Sequence, residues 1–456
     1  LAVGLVAALA LRGGEAAPAR PGGPEPRSHL DHSPFFEEPF SSGPEVTQAC
    51  LVCHPDAARE VMGTAHFRWL GDEVEDPRTG QRMTIGKRNL INNFCIGIQG
   101  NEASCTRCHA GYGWEDDTFD FTVETSVDCL ACHERSGQYR KGEAGRPAEG
   151  TDLLAAARSV GYPLRSNCGG CHAYGGGGLG VKHGDLDSTL DNPTEEDDVH
   201  MGRAGLLCID CHGGHGHDIR GKAYSVSVGP EGGIGCVDCH PAAPHGDDRL
   251  NRHVQAVACQ TCHIPTFART VPTKTRWDWS KAGDDTRPDD DHAYLRIKGE
   301  FVYERDVVPE YLWFDMTMDR YLLGDPVRGD GPTAINRPRG DRSTPGARIW
   351  PFKVHRGKQP WDRRNGYLVA PVTSGPGGYW HDFDWGQAIR LGAARAGLAF
   401  SGDYGFTETE MFWPLSHMVA PADRALGCDD CHDAGGRLDW TALGYTADPM
   451  RTGGGR

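Results

Sequence analysis

The chain has 456 residues and a formal charge of −16, from 47 Lys and Arg against 63 Asp and Glu. That sign argues against nucleic acid and anionic membrane surfaces as partners. Apolar residues make up only 38%, and 62 Gly and 30 Pro interrupt the sequence, so side chains alone would struggle to fill a core for this length.

Residues 1–19 read as a signal peptide, with its beginning missing. Leu1 to Leu11 (LAVGLVAALAL) has the character of an apolar h-region, and Ala16-Ala17-Pro18-Ala19 that of a small-residue cleavage zone. A membrane anchor is the alternative, but the run is short for the roughly 20 residues of a span. Residues 20–45 are expected to form an extended arm bearing His29 and His32. Residues 46–64 read as a helix, with Val46, Cys50, Cys53, Ala57 and Val61 on one face.

That helix carries the first of eight Cys-x-x-Cys-His units. In order they are Cys50, Cys53 and His54; Cys105, Cys108 and His109; Cys129, Cys132 and His133; Cys168, Cys171 and His172. There follow Cys208, Cys211 and His212; Cys236, Cys239 and His240; Cys259, Cys262 and His263; and Cys428, Cys431 and His432. Each is the attachment signature of a c-type haem. The two thiols form thioethers to the porphyrin vinyl groups, and the histidine that follows is an axial ligand to the iron. Structural zinc needs paired CxxC units rather than eight His-terminated ones. A thioredoxin-type site needs one CxxC and no fixed histidine.

Eight covalently bound c-type haems would supply the missing core. The expected fold is therefore mainly α with long loops, a multihaem array in which porphyrins form much of the interior. Residues 46–263 hold seven units, dense enough for neighbouring porphyrins to touch. Gly-rich connectors run between them at Gly175–Gly180 and His212–His217, and the acidic run Glu195–Asp198 reads as a solvated loop. Residues 264–456 are rich in aromatic side chains and carry the eighth unit. A helix over Phe383–Ala396 and an extended segment over Arg348–His355 are expected there. Covalent haem attachment happens outside the bacterial cytoplasm, so the expected location is the periplasm.

Of 21 histidines, eight follow the CxxC units and thirteen remain, enough for bis-His ligation of seven or all eight irons. The better distal candidates are His32, His66, His200, His217, His245, His253 and His417. His183, His215, His355 and His381 are weaker. Two residues break the pattern. Lys182 is either a solvated loop lysine or an iron ligand, and the latter needs burial to deprotonate its amine. Cys95 is the one cysteine of 17 outside the units. It is either an inert buried thiol or a thiol beside a reactive haem.

Five stretches resemble the octahaem tetrathionate reductase family: Ile91 to Gly97 (INNFCIG), Cys105 to Trp114 (CTRCHAGYGW), Gly180 to Asp187 (GVKHGDLD), Phe383 to Leu391 (FDWGQAIRL) and His417 to Pro421 (HMVAP). The resemblance covers nearly everything after the leader. It implies that the haem on Cys105, Cys108 and His109 is catalytic, that Lys182 is its distal ligand, and that Cys95 lies in its pocket. It implies seven further bis-His haems and reduction of tetrathionate, nitrite or hydroxylamine. The relatives include pentahaem nitrite reductases and hydroxylamine oxidoreductase, but this chain has no Cys-x-x-Cys-Lys unit. Expected partners are a periplasmic or membrane-anchored electron donor and a small inorganic sulfur or nitrogen substrate. An anionic substrate would need basic groups against the negative field, for which Lys274, Arg276, Lys353, Arg356 and Lys358 are candidates. A non-catalytic electron wire and a hydroxylamine oxidase are the rival functions.

Overall fold

A computed structural model describes residues 29–76, 79–93, 96–213, 216–221 and 233–452. The expected signal peptide, Cys95 and His215 lie outside them. Among the described residues no helix is long and apolar enough to cross a membrane.

The first half is built from short helices and loops with two small two-stranded sheets, Glu73–Glu75 against Arg82–Thr84 and Ile91–Asn93 against Ile96–Gly97. Helix α1 (Gly43–Leu51) starts where the Ser42 side chain accepts the Glu45 amide, with Pro44 in the first turn, a combination that satisfies a free N–H and presets the backbone. It buries Val46 and Thr47. The single helix expected over 46–64 is instead two, because the chain turns through the first haem unit before α2 (Ala57–Met62). Most other units occupy little more than one helical turn, as over Cys208–His212, Cys259–His263 and Cys428–His432. Residues three apart are neighbours on a helix, so one turn sets both thiols on the same side.

The second half departs from the expected mainly α fold. It holds an eight-stranded sheet. The strands are β1 (Thr273–Asp278), β2 (Tyr294–Leu295), β3 (Gly299–Glu304), β4 (Glu310–Phe314), β5 (Thr333–Ala334), β6 (Arg348–Asp362), β7 (Tyr367–Leu368) and β8 (Tyr404–Pro414). Their order is β5-β8-β6-β1-β3-β2, with β4 and β7 also paired to β6. The spine is the antiparallel β6–β8 pair, in register from Phe352 opposite Pro414 to Asp362 opposite Tyr404. Nearly all of β6 is buried, on both faces. A strand covered on both sides loses the alternation that marks a strand in sequence, so only its first part, Arg348–His355, was expected to be extended. The expected C-terminal helix is present as α3 (Trp385–Arg395), burying Ala388, Ile389, Gly392 and Ala393.

The sheet's core joins Trp277, Trp279, Phe301, Met411 and Trp413 to Ile91 and Val181 from the first half. The loop bearing Lys182 is thereby packed onto the sheet. The acidic run is solvated at Glu195 and Glu196 as expected and departs only at its end: Asp198 is buried and accepts the Val419, His200 and Met201 amides.

Candidate haem array and reaction site

Seven of the eight unit histidines face a second histidine at one recurring distance. Ring centroids are 6.4 Å apart for His54 and His32, 6.1 Å for His172 and His66, and 6.1 Å for His133 and His217. They are 6.0 Å apart for His240 and His200, 6.1 Å for His212 and His417, 6.2 Å for His263 and His245, and 6.3 Å for His432 and His253. Two metal–imidazole bonds of about 2.0–2.1 Å, plus the half-widths of the rings, separate such centroids by about 6 Å. The residues therefore fit an iron between each pair.

The ring nitrogens are sorted accordingly. His133 Nδ1 donates to the Gly161 carbonyl, His212 to Arg220 and His253 to Arg249. His217 Nδ1 donates to Glu60 at 2.8 Å, His432 to Asp448 at 2.6 Å, and His417 to Asp185 at 3.3 Å. An oxygen of this kind can only accept, so each Nδ1 carries the proton and each Nε2 is left as a lone-pair donor for a metal. These carboxylates escaped the sequence reading. Glu60 and Asp185 lie 157 and 232 residues from their histidines, and no spacing rule connects them. Asp198, two residues before His200, was the one local signal.

The cysteine thiols here stand in for the thioether sulfurs of attached haem, and their hydrogen bonds and longer-range electrostatic interactions show which units adjoin. Cys50 meets Cys129, and Cys132 acts on Cys168 and Cys171. Cys168 meets Cys208, Cys211 faces Cys239, Cys236 meets Cys259, and Cys262 faces Cys428 and Cys431. The units thus run first, third, fourth, fifth, sixth, seventh, eighth. The second unit joins this line at the fourth, through Cys108 and Cys171.

The second unit is different. His109 is buried, and its Nε2 meets the Phe67 carbonyl. Its ring lies among Phe67 (4.8 Å), Trp114 (4.9 Å), Trp69 (5.5 Å) and Phe119 (5.6 Å). Iron ligation at this nitrogen requires the Phe67 contact to break. Lys182 is buried, with Nζ 5.0 Å from the centre of Trp413 and an electrostatic contact to Cys108. Burial, reinforced by Lys87, drives its amine well below the usual lysine range, which makes the neutral, metal-ligating form accessible. His183, a distal candidate in sequence, instead packs against Trp413 at 5.1 Å.

The Lys182 loop is clamped from the sheet. Lys353 Nζ on β6 donates to the Val181 carbonyl at 3.0 Å, the Lys182 carbonyl at 3.1 Å and Thr273 Oγ1 at 2.6 Å. Thr273 in turn donates to the Gly180 carbonyl. Gly180 has φ +67°, and a Cβ there would lie 2.5 Å from the Pro272 carbonyl oxygen. Gly180→Ala should therefore cost about 1–3 kcal/mol from the left-handed backbone and the clash. Thermal unfolding of the holoprotein followed by circular dichroism would show the lowered midpoint.

Two of the five basic candidates join this region. Lys274 is buried with Nζ 3.2 Å from the Phe301 centroid and 4.0 Å from that of Trp277, and burial pushes it down to about 5. Lys353 is pulled down to about 7 by burial, opposed by Asp185. Arg276 and Arg356 are surface residues paired with Glu408 and Glu310, and Lys358 sits opposite Glu408 on β8.

Residues 274–435 match the family described as bacterial cytochrome c. The chain is 45% identical to an octahaem cytochrome c from Shewanella oneidensis of known crystal structure, with a TM-score of 0.87 over 94% of this chain and 99% of that one. It is also 27% identical to an uncharacterised protein of Archaeoglobus fulgidus, over 42% of this chain and 80% of that protein.

Proposed function

The chain belongs to the octahaem c-type cytochromes, and from that premise we propose that it is an exported reductase of a small inorganic sulfur or nitrogen substrate. One contrast carries this reading: seven unit histidines face a histidine, and among the described residues the eighth, His109, instead has a buried lysine beside its Cys108. Eight attached haems supply one-electron redox chemistry, and one with a displaceable sixth ligand supplies a reducing iron.

In this reading His32, His66, His200, His217, His245, His253 and His417 complete seven bis-His pairs that carry electrons. His109 and Lys182 would hold the remaining haem, which would supply the iron that reduces substrate; the buried, neutral Lys182 amine is suited to a displaceable ligand. Lys274, pushed down to about 5, is neutral near pH 7, so of the two buried lysines only Lys353, held near 7, keeps part of a positive charge against the negative field. Tetrathionate accepts two electrons, loses its central S–S bond and leaves as two thiosulfates. Nitrite needs six electrons and eight protons to become ammonium and two waters, and hydroxylamine needs two electrons and three protons. Cys95 belongs to the stretch that runs into the second unit. Its thiolate is suited to attack disulfide-like sulfur, releasing one thiosulfate; two electrons and a proton then free the second and restore the thiol.

Cys95→Ala should lower tetrathionate turnover about tenfold or more while nitrite turnover changes far less. Equal rates on both substrates relative to the unaltered protein would make Cys95 a bystander. The burial of Lys182 would also suit a permanently capped iron in a pure electron wire. Electron paramagnetic resonance of the oxidised holoprotein separates the two. The reductase reading expects nitrite or tetrathionate to alter one signal, and spectra unmoved by either would leave the wire.

A further inference from the structure

The fourth unit has a special place in the array. Its thiols contact those of the second and fifth units, and its helix adjoins the third unit, where the Asn167 side-chain amide donates to the Glu134 carbonyl, so electrons moving between adjoining units reach the second unit through it. Its histidines, His172 and His66, also border the reaction site directly, since the Ala110 amide next to His109 donates to the His66 carbonyl.

The charges around this unit contrast with those on either side. In the third unit's pair, His217 donates to the Glu60 carboxylate. In the fifth unit's pair, His417 donates through Nδ1 to Asp185, which is buried and also accepts the Ser416 and His417 amides. An anionic partner on Nδ1 makes the imidazole a stronger donor and favours the oxidised metal. Among the described residues no carboxylate acts on His66 or His172; of the basic groups that do, burial keeps His183 (down to about 3) and His212 neutral, which leaves Lys87. A positive neighbour disfavours the oxidised, more cationic metal.

We propose that the iron site between His66 and His172 is the collecting point of the array, higher in reduction potential than the third and fifth sites that flank it. Electrons arriving from either arm settle one step from the second unit. Asp185 and Lys87 act through the ligands as positioning residues. Asp185 lowers the fifth site, and Lys87 raises the fourth. The inference needs the histidine pairs, the adjacency of the units and the charges of Glu60, Asp185 and Lys87, and it stands whether or not the second unit turns over a substrate.

The test is a redox titration of the holoprotein, followed by electron paramagnetic resonance. The two sites are separable because the ring planes are inclined by 69° for His66 and His172 and by 25° for His212 and His417. Asp185→Asn should shift the near-parallel component to higher potential. Lys87→Met should shift the inclined component to lower potential, and Lys87→Arg, which keeps the charge, should restore it. An inclined fourth-site component already below the near-parallel one in the unaltered protein would overturn the proposal. So would Lys87→Met leaving every component in place. If Asp185→Asn fails to take up haem, the Lys87 pair decides alone.

Discussion

Replacing Lys182 with leucine should turn one iron of the holoprotein from low spin to high spin and leave the seven bis-His signals as they were. Leucine fills a similar part of the Trp413 wall but offers no lone pair. The open position should bind cyanide or nitrite faster than in the unaltered protein, because no ligand has to leave first. Electronic absorption and electron paramagnetic resonance read both effects. An unchanged spectrum would remove Lys182 from the iron and, with it, the distinction between the second unit and the rest.

Replacing Lys353 with methionine should have the largest effect on stability. The change removes three donated hydrogen bonds at a fully buried position. Unsatisfied buried acceptors cost about 1–3 kcal/mol each. Relieving the burial of an amine already pulled down to about 7 offsets part of that, so a net loss of about 2–4 kcal/mol is expected. Methionine fills the volume, so the loss is polar rather than a cavity. Because two of the acceptors are the carbonyls on either side of the Lys182 nitrogen, the same variant should blur the Lys182 spin state into a mixture. Denaturant unfolding and the low-temperature spectrum measure the two effects separately. A destabilised protein with an unaltered spectrum would show that the clamp serves the sheet and not the lysine.

The c-type haem character of the chain was legible in the sequence, because covalent attachment needs two thiols and a histidine within five consecutive residues. The distal histidines were legible as a set and not as pairs. His417 lies opposite a unit histidine more than 200 residues away, and only the fold brings it to His212. The sheet was the main misreading. Strand β6 carries Pro351, Lys353, His355 and Gly357 among its aromatics and is buried on both sides, so neither alternation nor a clean apolar run marked it. Yet that strand supplies the Lys353 clamp. Asp198 was read as solvent-exposed from a run of like charges, whereas its neighbours' amides turn it inward. The resemblance to a known family pointed to Lys182; burial, Trp413 and Cys108 give that residue a physical setting that spacing alone could not.

The central claim is that the second unit reacts while the other seven conduct. The most direct measurement is oxidation of dye-reduced holoprotein by tetrathionate, nitrite and hydroxylamine in turn. The account predicts steady consumption of reducing equivalents with at least one of them, lost or strongly altered in Lys182→Leu. Failure of all three to reoxidise the reduced protein would contradict it and leave an electron-transfer wire.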